Sequence, residues 1–279
     1  MTNNDILARN ALLLGVLDEL EPHLKKAGIE IMLLKGAACL ELGIFGLEER
    51  EMTDLDLLVK PGDLPALVKI LGSLGFGEMP ESSAAYYRTV KETLPPLVVD
   101  LHTSLRHEKG PEEVWPGKIK IRENVYAPPL DDLLLFSAAH PVLHHGFFDE
   151  RAARDFRKIL GRSADPDALL ERTAAKAATR GVAGLFAGAL AVSLPEKAGK
   201  TEAGISAREF FFAPLIKLSF KRHYAFNEYL LPFLYRPSSG FRLLFPDREF
   251  MRRRHGSAGL KNRIKRILGI LLRATGIRP

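Results

Sequence analysis

The chain has 279 residues and a single cysteine, Cys39, so it is long enough for one large domain or two ordinary ones, and it excludes an internal disulfide, as fits a reducing compartment. Apolar residues make up 46%, enough to bury a proper core. The net charge of +6 is uneven: residues 248–279 hold ten of the 40 Lys/Arg and one of the 34 acidic residues, so the rest of the chain is slightly acidic and is not a general polyanion binder.

The N-terminal stretch "MTNNDILARNALLLGVLDEL" has no basic region ahead of its apolar part, which Asp5, Arg9, Asp18 and Glu19 interrupt, so it makes a poor signal peptide. No uncharged stretch approaches the roughly 20 residues of a transmembrane helix. A cytoplasmic protein is expected. Residues 5–26 carry Ile6, Leu7, Leu13, Leu14, Leu17, Leu20 and Leu24 at helical spacing, which predicts an amphipathic helix stopped by Gly28. A short strand is expected at 29–34, a turn at Gly36 opening a short helix to Gly43, and a loop over 43–53. "DLDLLV" (54–59) alternates like a strand, and Pro61 and Gly62 break it. A helix over 63–75 follows. Three further β runs are expected at 84–92, 94–105 and 118–127.

The texture changes at Pro128 and Pro129. From there the spacing predicts helices at 130–145, 150–161, 165–180, 181–193, 205–235, 247–254 and 259–274. The expected architecture is therefore α+β: a mixed sheet with flanking helices over 1–128, followed by an all-helical domain over 129–279 with a basic C-terminal tail. There is no internal repeat.

Chemistry concentrates in the front half. Residues i and i+2 of a strand point to one face, so Asp54 and Asp56 are expected to project together. Two carboxylates that close raise each other's pKa unless a cation sits between them; a hard cation with oxygen ligands, Mg²⁺ above all, resolves the repulsion. Asp100 in "VVDLHTSL" supplies a third carboxylate if its strand lies beside the first. Such a set suits two-metal phosphoryl or nucleotidyl transfer. Upstream, "MLLKGAA" puts Lys35 and Gly36 where a strand hands over to a helix; a glycine there lets backbone N–H groups approach a phosphate, and a lysine can balance its charge.

The ordered set "LLKGAA", "REMTDLDLLV", "VVDLHTSL", "LDDLLLFSAAHPVLHH" and "RAARDFRKIL" resembles an uncharacterised bacterial nucleotidyltransferase family of the LKG…DxDLLV…DLH type, within the superfamily that shares the DNA polymerase β-like fold. The likeness runs over residues 1–165, and "FPDREFMRRRHG" near the C-terminus is also similar. It implies a nucleotidyltransferase-fold sheet and a Mg²⁺-dependent transfer of a nucleoside monophosphate from an NTP such as ATP to an acceptor hydroxyl, with Mn²⁺ as the substitute ion. By position, Asp54 and Asp56 match the metal-binding pair, Asp100 the third carboxylate that helps hold metal and activates the acceptor, and Gly36 the phosphate-side glycine. The family pattern usually has Gly-Ser or Gly-Gly at that turn; here Ala37 follows Gly36, and Lys35 is the candidate for compensating the missing hydroxyl. The other outcome consistent with Ala37 is a nucleotide-binding module without catalysis.

Several residues carry two readings. Lys35 is either a triphosphate contact or a solvated surface lysine. Arg50 either binds a phosphate or pairs with Glu48 or Glu49. His102 either contacts substrate or caps a strand end. His140 and His144 have a zinc-like i, i+4 spacing, but Pro141 stands where a zinc protease has glutamate and no third ligand is evident, so a polar contact between the two domains is expected. Cys39 reads as a small core residue. In the tail, Leu260, Ile264, Ile267, Leu268 and Leu271 fall on one stripe, with Lys261, Lys265, Arg266 and Arg273 elsewhere; this is either packing on its own domain or contact with an anionic membrane surface. RNA binding is a third option, disfavoured by the absence of interleaved aromatics.

Overall fold

The computed structural model describes residues 2–79, 84–105, 113–197 and 259–274, with the single positions 217, 220 and 251. The chain divides into two compact units, Met1–Leu133 and Leu134–Pro279. Among the described residues, no helix is long and apolar enough to cross a membrane.

The first unit opens with α1 (Asn3–Ala27). Thr2 caps it: its hydroxyl accepts from the Asp5 N–H, and the Asp5 carboxylate accepts from the Thr2 N–H, so two of the end's orphan donors are satisfied reciprocally. Leu13, Val16, Leu17, Leu20 and Leu24 are fully buried along one face, each contributing about 2 kcal/mol of transfer free energy. Gly28, at φ +67°, ends the helix, a left-handed conformation that glycine adopts without a Cβ penalty.

A seven-stranded mixed sheet follows, in the order β3-β4-β5-β2-β1-β7-β6. Its strands are β1 (Ile31–Leu33), β2 (Leu55–Val59), β3 (Gly77–Glu78), β4 (Ala85–Arg88), β5 (Leu97–His102), β6 (Ile119–Arg122) and β7 (Val125–Ala127). The short helix α2 (Lys35–Glu41) lies between β1 and β2, and α3 (Leu64–Ser73) between β2 and β3. The middle strand is β2, which runs antiparallel to β1 and parallel to β5. All five of its residues are buried. A strand covered on both faces must be apolar nearly throughout, which is why "LDLLV" holds one charged residue and no more.

Ion pairs from α1 reach the sheet. Arg88 of β4 makes a two-pronged pair with Glu19, at 2.6 and 2.7 Å, and Arg122 of β6 bonds Asp18 and, at 2.6 Å, Glu41. Arg9 donates to the carbonyls of Thr53, Pro95 and Pro96, at 2.7–3.0 Å. It thereby ties the entrances of β2 and β5 to one side chain.

Residues 118–127 form a hairpin, not the single run expected. Glu123 and Asn124 turn the chain between β6 and β7, with Asn124 at φ +60°; asparagine tolerates that region better than most residues. The two-residue strand β3 has no counterpart among the expected elements, and β4 and β5 are shorter than the 84–92 and 94–105 runs. Cys39 is buried and has no disulfide partner.

In the second unit, the described segments are helical. Starting at the unit boundary, α4 (Leu130–His145) is followed by α5 (Glu150–Gly161), α6 (Pro166–Arg180) and α7 (Ala183–Ser193), with a 3-10 turn at Pro195–Lys197. Asp149 and Asp165 cap α5 and α6 by accepting from Ala152 and Ala168 N–H groups. The last described helix is α8 (Leu260–Ala274). The helices expected over 205–235 and 247–254 lie outside the described residues, apart from the positions named above.

Asn10 ties α1 to the loop that leads into β2. It is fully buried, its amide donates to the carbonyls of Leu47 and Arg50 at 2.6 and 2.7 Å, and its carbonyl accepts from the Met52 N–H at 3.0 Å. At about 1 kcal/mol per bond, with buried carbonyls left stranded, Asn10→Leu should lower the unfolding free energy by about 3 kcal/mol in urea titrations. A loss below about 1 kcal/mol would mean that the loop holds its shape without this residue.

Candidate active site

The pairing of β2 with β5 builds the site. The strands are parallel, with Asp56 opposite Asp100 and Leu58 opposite His102. Residues opposite each other in a ladder share a face, as do i and i+2 within a strand, so Asp56, Asp100 and His102 gather on one face of the sheet. The donor atoms of these three lie within 4.8 Å of one another. Asp56 is 3% exposed, while Asp100 and His102 are about a quarter exposed. The group is buried at its root and open at its rim.

Lys35 comes in from the next strand over. β1 is antiparallel to β2, with Leu33 opposite Leu57, and just past its end the Leu34 N–H donates to the Asp56 carbonyl at 3.0 Å. Lys35 follows at φ +47°, a left-handed conformation uncommon outside glycine and asparagine, and its ammonium reaches Asp56 Oδ1 at 2.6 Å. The same oxygen meets His102 Nε2 at 2.9 Å, and that nitrogen lies 3.5 Å from Asp100 Oδ2. Lys35 is thus an internal counter-ion rather than a solvated surface lysine, and His102 does more than cap a strand.

Asp54 stands apart from this group. It lies on a bend just before β2 begins, so the two-residue strand period that would align it with Asp56 does not apply. Its carboxylate accepts from the Thr53 hydroxyl at 3.0 Å, and its charge still reaches Asp100 and Arg9. The structure therefore gathers two aspartates and a histidine where the sequence pattern led to three aspartates. The signal for His102 was the D-x-H spacing on one strand. No local signal marks the Lys35–Asp56 pair, which depends on the order of strands in the sheet.

Arg50 and Gly36 meet each other. Arg50 is buried, with its guanidinium 6.0 Å from the Phe45 ring centroid. A Cβ built on Gly36 would run into the Arg50 guanidinium and lie 2.7 Å from Met52 Cγ. The glycine therefore leaves room for an arginine. Ala37 is buried in α2.

The two carboxyls differ in acidity. Burial pushes the Asp56 carboxyl up, but the His102 hydrogen bond and the Lys35 charge outweigh burial and hold it below its ordinary value. Burial, with the charges of Asp56 and Asp54, holds the Asp100 carboxyl above its ordinary value despite His102 and Lys35. The raising expected of the Asp54 and Asp56 pair is therefore absent at Asp56, and it is Asp100 that is held high.

The donor set suits a hard or borderline divalent cation: two carboxylates and one imidazole, with Asp56 buried and compensated by a lysine that can turn outward. Asp56, Asp100 and His102 would hold such an ion, with Asp54 close by.

A family described as "Uncharacterised nucleotidyltransferase" matches residues 2–192. No curated protein matches the chain. The seven-stranded mixed sheet with flanking helices fits a nucleotidyltransferase-like fold.

Without metal, the two aspartates should respond oppositely to removal of charge. Asp56, held low, adds stability that is present above the ordinary carboxylate range and is lost as pH falls through its lower titration. Asp100, held high, costs stability in full above its raised value, and that cost disappears below about pH 4. In EDTA at pH 7, Asp56→Asn should lose about 2 kcal/mol, short of the 3–5 typical of a fully buried pair because Lys35 and His102 reach water. Asp100→Asn should gain stability at pH 7 and match the parent near pH 3.5. Equal signs for the two variants in urea unfolding would contradict this assignment of charge.

Proposed function

Since the chain belongs to the uncharacterised nucleotidyltransferase family that matches residues 2–192, we propose that it transfers a nucleoside monophosphate from an NTP, with ATP the first donor to test, to an acceptor hydroxyl. The observation that carries this reading is the alignment of Asp56 and Asp100 on two adjacent parallel strands, with His102 on the same face. In the reaction a bond forms between the acceptor oxygen and the α-phosphorus. The bond from that phosphorus to the β-phosphate breaks, pyrophosphate leaves, and the hydroxyl proton passes to a carboxylate.

Each residue has a proposed task. Asp56 and Asp100, with His102 and the nearby Asp54, would hold Mg²⁺ or Mn²⁺; the imidazole favours Mn²⁺ more than an all-oxygen set would. When bound, such an ion supplies charge to the α-phosphate and lowers the pKa of the acceptor hydroxyl. Asp100, at the open rim, faces the acceptor and takes its proton. Lys35, released from Asp56 once the carboxylate has another cation, turns to the triphosphate. The Arg50 guanidinium, reaching from the loop before β2 to Gly36 at the strand-to-helix turn, and the backbone at Gly36 would support the phosphates, in place of the hydroxyl that Ala37 lacks. We assign the catalytic domain to 1–128 and the acceptor site to the helical domain, 129–279, in a cytoplasmic protein.

Ala37 favours a second reading, a binding module that holds NTP without turning it over. Asp100→Asn separates the two. For an enzyme, this variant should keep much of the parent's NTP affinity in calorimetry while Mg²⁺- or Mn²⁺-dependent pyrophosphate release falls by about 10³-fold. No turnover by the parent across a panel of small-molecule, protein and RNA acceptors, together with unchanged NTP binding by the variant, would leave the binding module.

The tail suggests a partner surface. On α8, Leu260, Ile264 and Leu268 are 74%, 48% and 53% exposed, one turn apart, and Lys261 and Lys265 are exposed beside them. An apolar stripe flanked by cations suits the surface of an anionic bilayer. The full chain should sediment with phosphatidylserine-containing vesicles at low salt and detach as salt rises. Failure to sediment with them at low salt would rule out this contact.

A further inference from the structure

The second unit holds another cluster of ligand-type side chains, made of histidines alone. His140, His144 and His145 lie at the C-terminal end of α4, and their ring nitrogens come within 4.8 Å of one another. The helical period brings His140 and His144 together, one turn apart and stacked at 4.9 Å between centroids with their planes 18° apart. His145 closes the group edge-on, 4.8 Å from His144 and 5.6 Å from His140. His140 stacks on Phe136 at 4.6 Å, while His144 and His145 are exposed.

We propose that His140, His144 and His145 form a binding site for a divalent transition-metal ion, with Zn²⁺ the best-fitting one. A set of three imidazoles and no carboxylate disfavours Mg²⁺ and suits Zn²⁺, Ni²⁺ and Co²⁺. Zinc–nitrogen bonds of about 2.0–2.1 Å need the nitrogens roughly 3.4 Å apart, so small side-chain rotations of the two exposed rings bring the three into ligating positions. The place favours a cation: His144 and His145 occupy the last turn of α4, where carbonyl ends leave a partial negative charge. Gly146, at φ +71°, stops the helix there, and its N–H bonds the Val142 carbonyl at 3.0 Å, so the turn that carries the two exposed histidines is well defined.

Three protein ligands leave a fourth position for water or an incoming group, as in sites where zinc does chemistry. The chain departs from the zinc-protease pattern at one point. Pro141 occupies the position after the first histidine, where such a helix carries the glutamate that serves as general base. The site therefore lacks the proton acceptor for peptide hydrolysis, and we assign it metal binding without that activity. It depends on neither the NTP site nor its cation.

The test uses the untagged full-length chain, titrated with Zn²⁺ alone by calorimetry and with Co²⁺ by visible absorption. The Asp56→Asn, Asp100→Asn double variant should bind one Zn²⁺ as the parent's histidine site does, and millimolar Mg²⁺ should not compete. His140→Ala and His144→Ala should each weaken that binding by about 100-fold or more, and His145→Ala by at least about 10-fold. Bound Co²⁺ should give the intense visible bands of a four-coordinate site, and they should be lost in His144→Ala. His144 and His145 are exposed, so their variants should keep the parent's melting temperature in chelator. Zinc binding that disappears in the aspartate variant and persists in His144→Ala would overturn the assignment. An unchanged affinity in His145→Ala would reduce the site to an ordinary helical histidine pair and overturn the three-ligand claim.

Discussion

The parallel pairing of β2 with β5 is the constraint on which the site depends. A carboxylate on a central strand is costly, because burial disfavours its charge and no water reaches it. Asp56 is tolerated because two cationic or hydrogen-bonding groups converge on one of its oxygens, Lys35 from the start of α2 just past β1 on one side and His102 from β5 on the other. A slip of one residue along β5 would send Asp100 and His102 to the opposite face, leaving Asp56 with the lysine alone. The apolar residues on the other face of β2 and β5, Leu55, Leu57, Val99 and Leu101, are buried and oppose that slip. Core packing and site assembly are therefore one requirement, expressed on the two faces of the same pair of strands.

The balance of charge at Asp56 also has a cost. An ion pair near the core gives back in attraction much of what desolvation takes, so the Lys35–Asp56 contact adds stability only by the margin that holds the Asp56 carboxyl low, and losing one partner is expensive. Lys35 sits in a left-handed backbone conformation, a further expense of about 1 kcal/mol or more. Strain of this kind persists where surrounding structure over-determines it, here the Leu34–Asp56 backbone bond and the start of α2. The outcome is a charge held in a defined place, ready to be replaced by another.

Most of the first unit could be read from the sequence, because its signals are local. The leucine spacing and Gly28 mark α1, and the alternation around Asp56 and Asp100 marks β2 and β5. What escaped was non-local or conformational. The order of strands decides which charges meet, and nothing in "LLKGAA" announces that Lys35 will bond Asp56. The 118–127 run hid a hairpin because its turn depends on a single asparagine, without the glycine that usually marks such a bend. Asp54 was grouped with Asp56 by a strand period that begins one residue later. His145 does not read as a third ligand beside His140 and His144 because i, i+5 is not a helical neighbour spacing, and only the folded end of α4 brings its ring in.

The contact between Gly36 and Arg50 makes two positions 14 residues apart behave as one. The space above the glycine is filled by the guanidinium and by Met52, both buried, so a methyl at 36 can enter only if both side chains give way. Side-chain volume at one position is exchanged for a cation at the other. A chain that shortened residue 50 would still bring a methyl at 36 to 2.7 Å from Met52 Cγ, and the turn would lose its positive charge. The strand-to-helix turn thus shares its space among residues 36, 50 and 52, and its tolerance for substitution cannot be read one residue at a time.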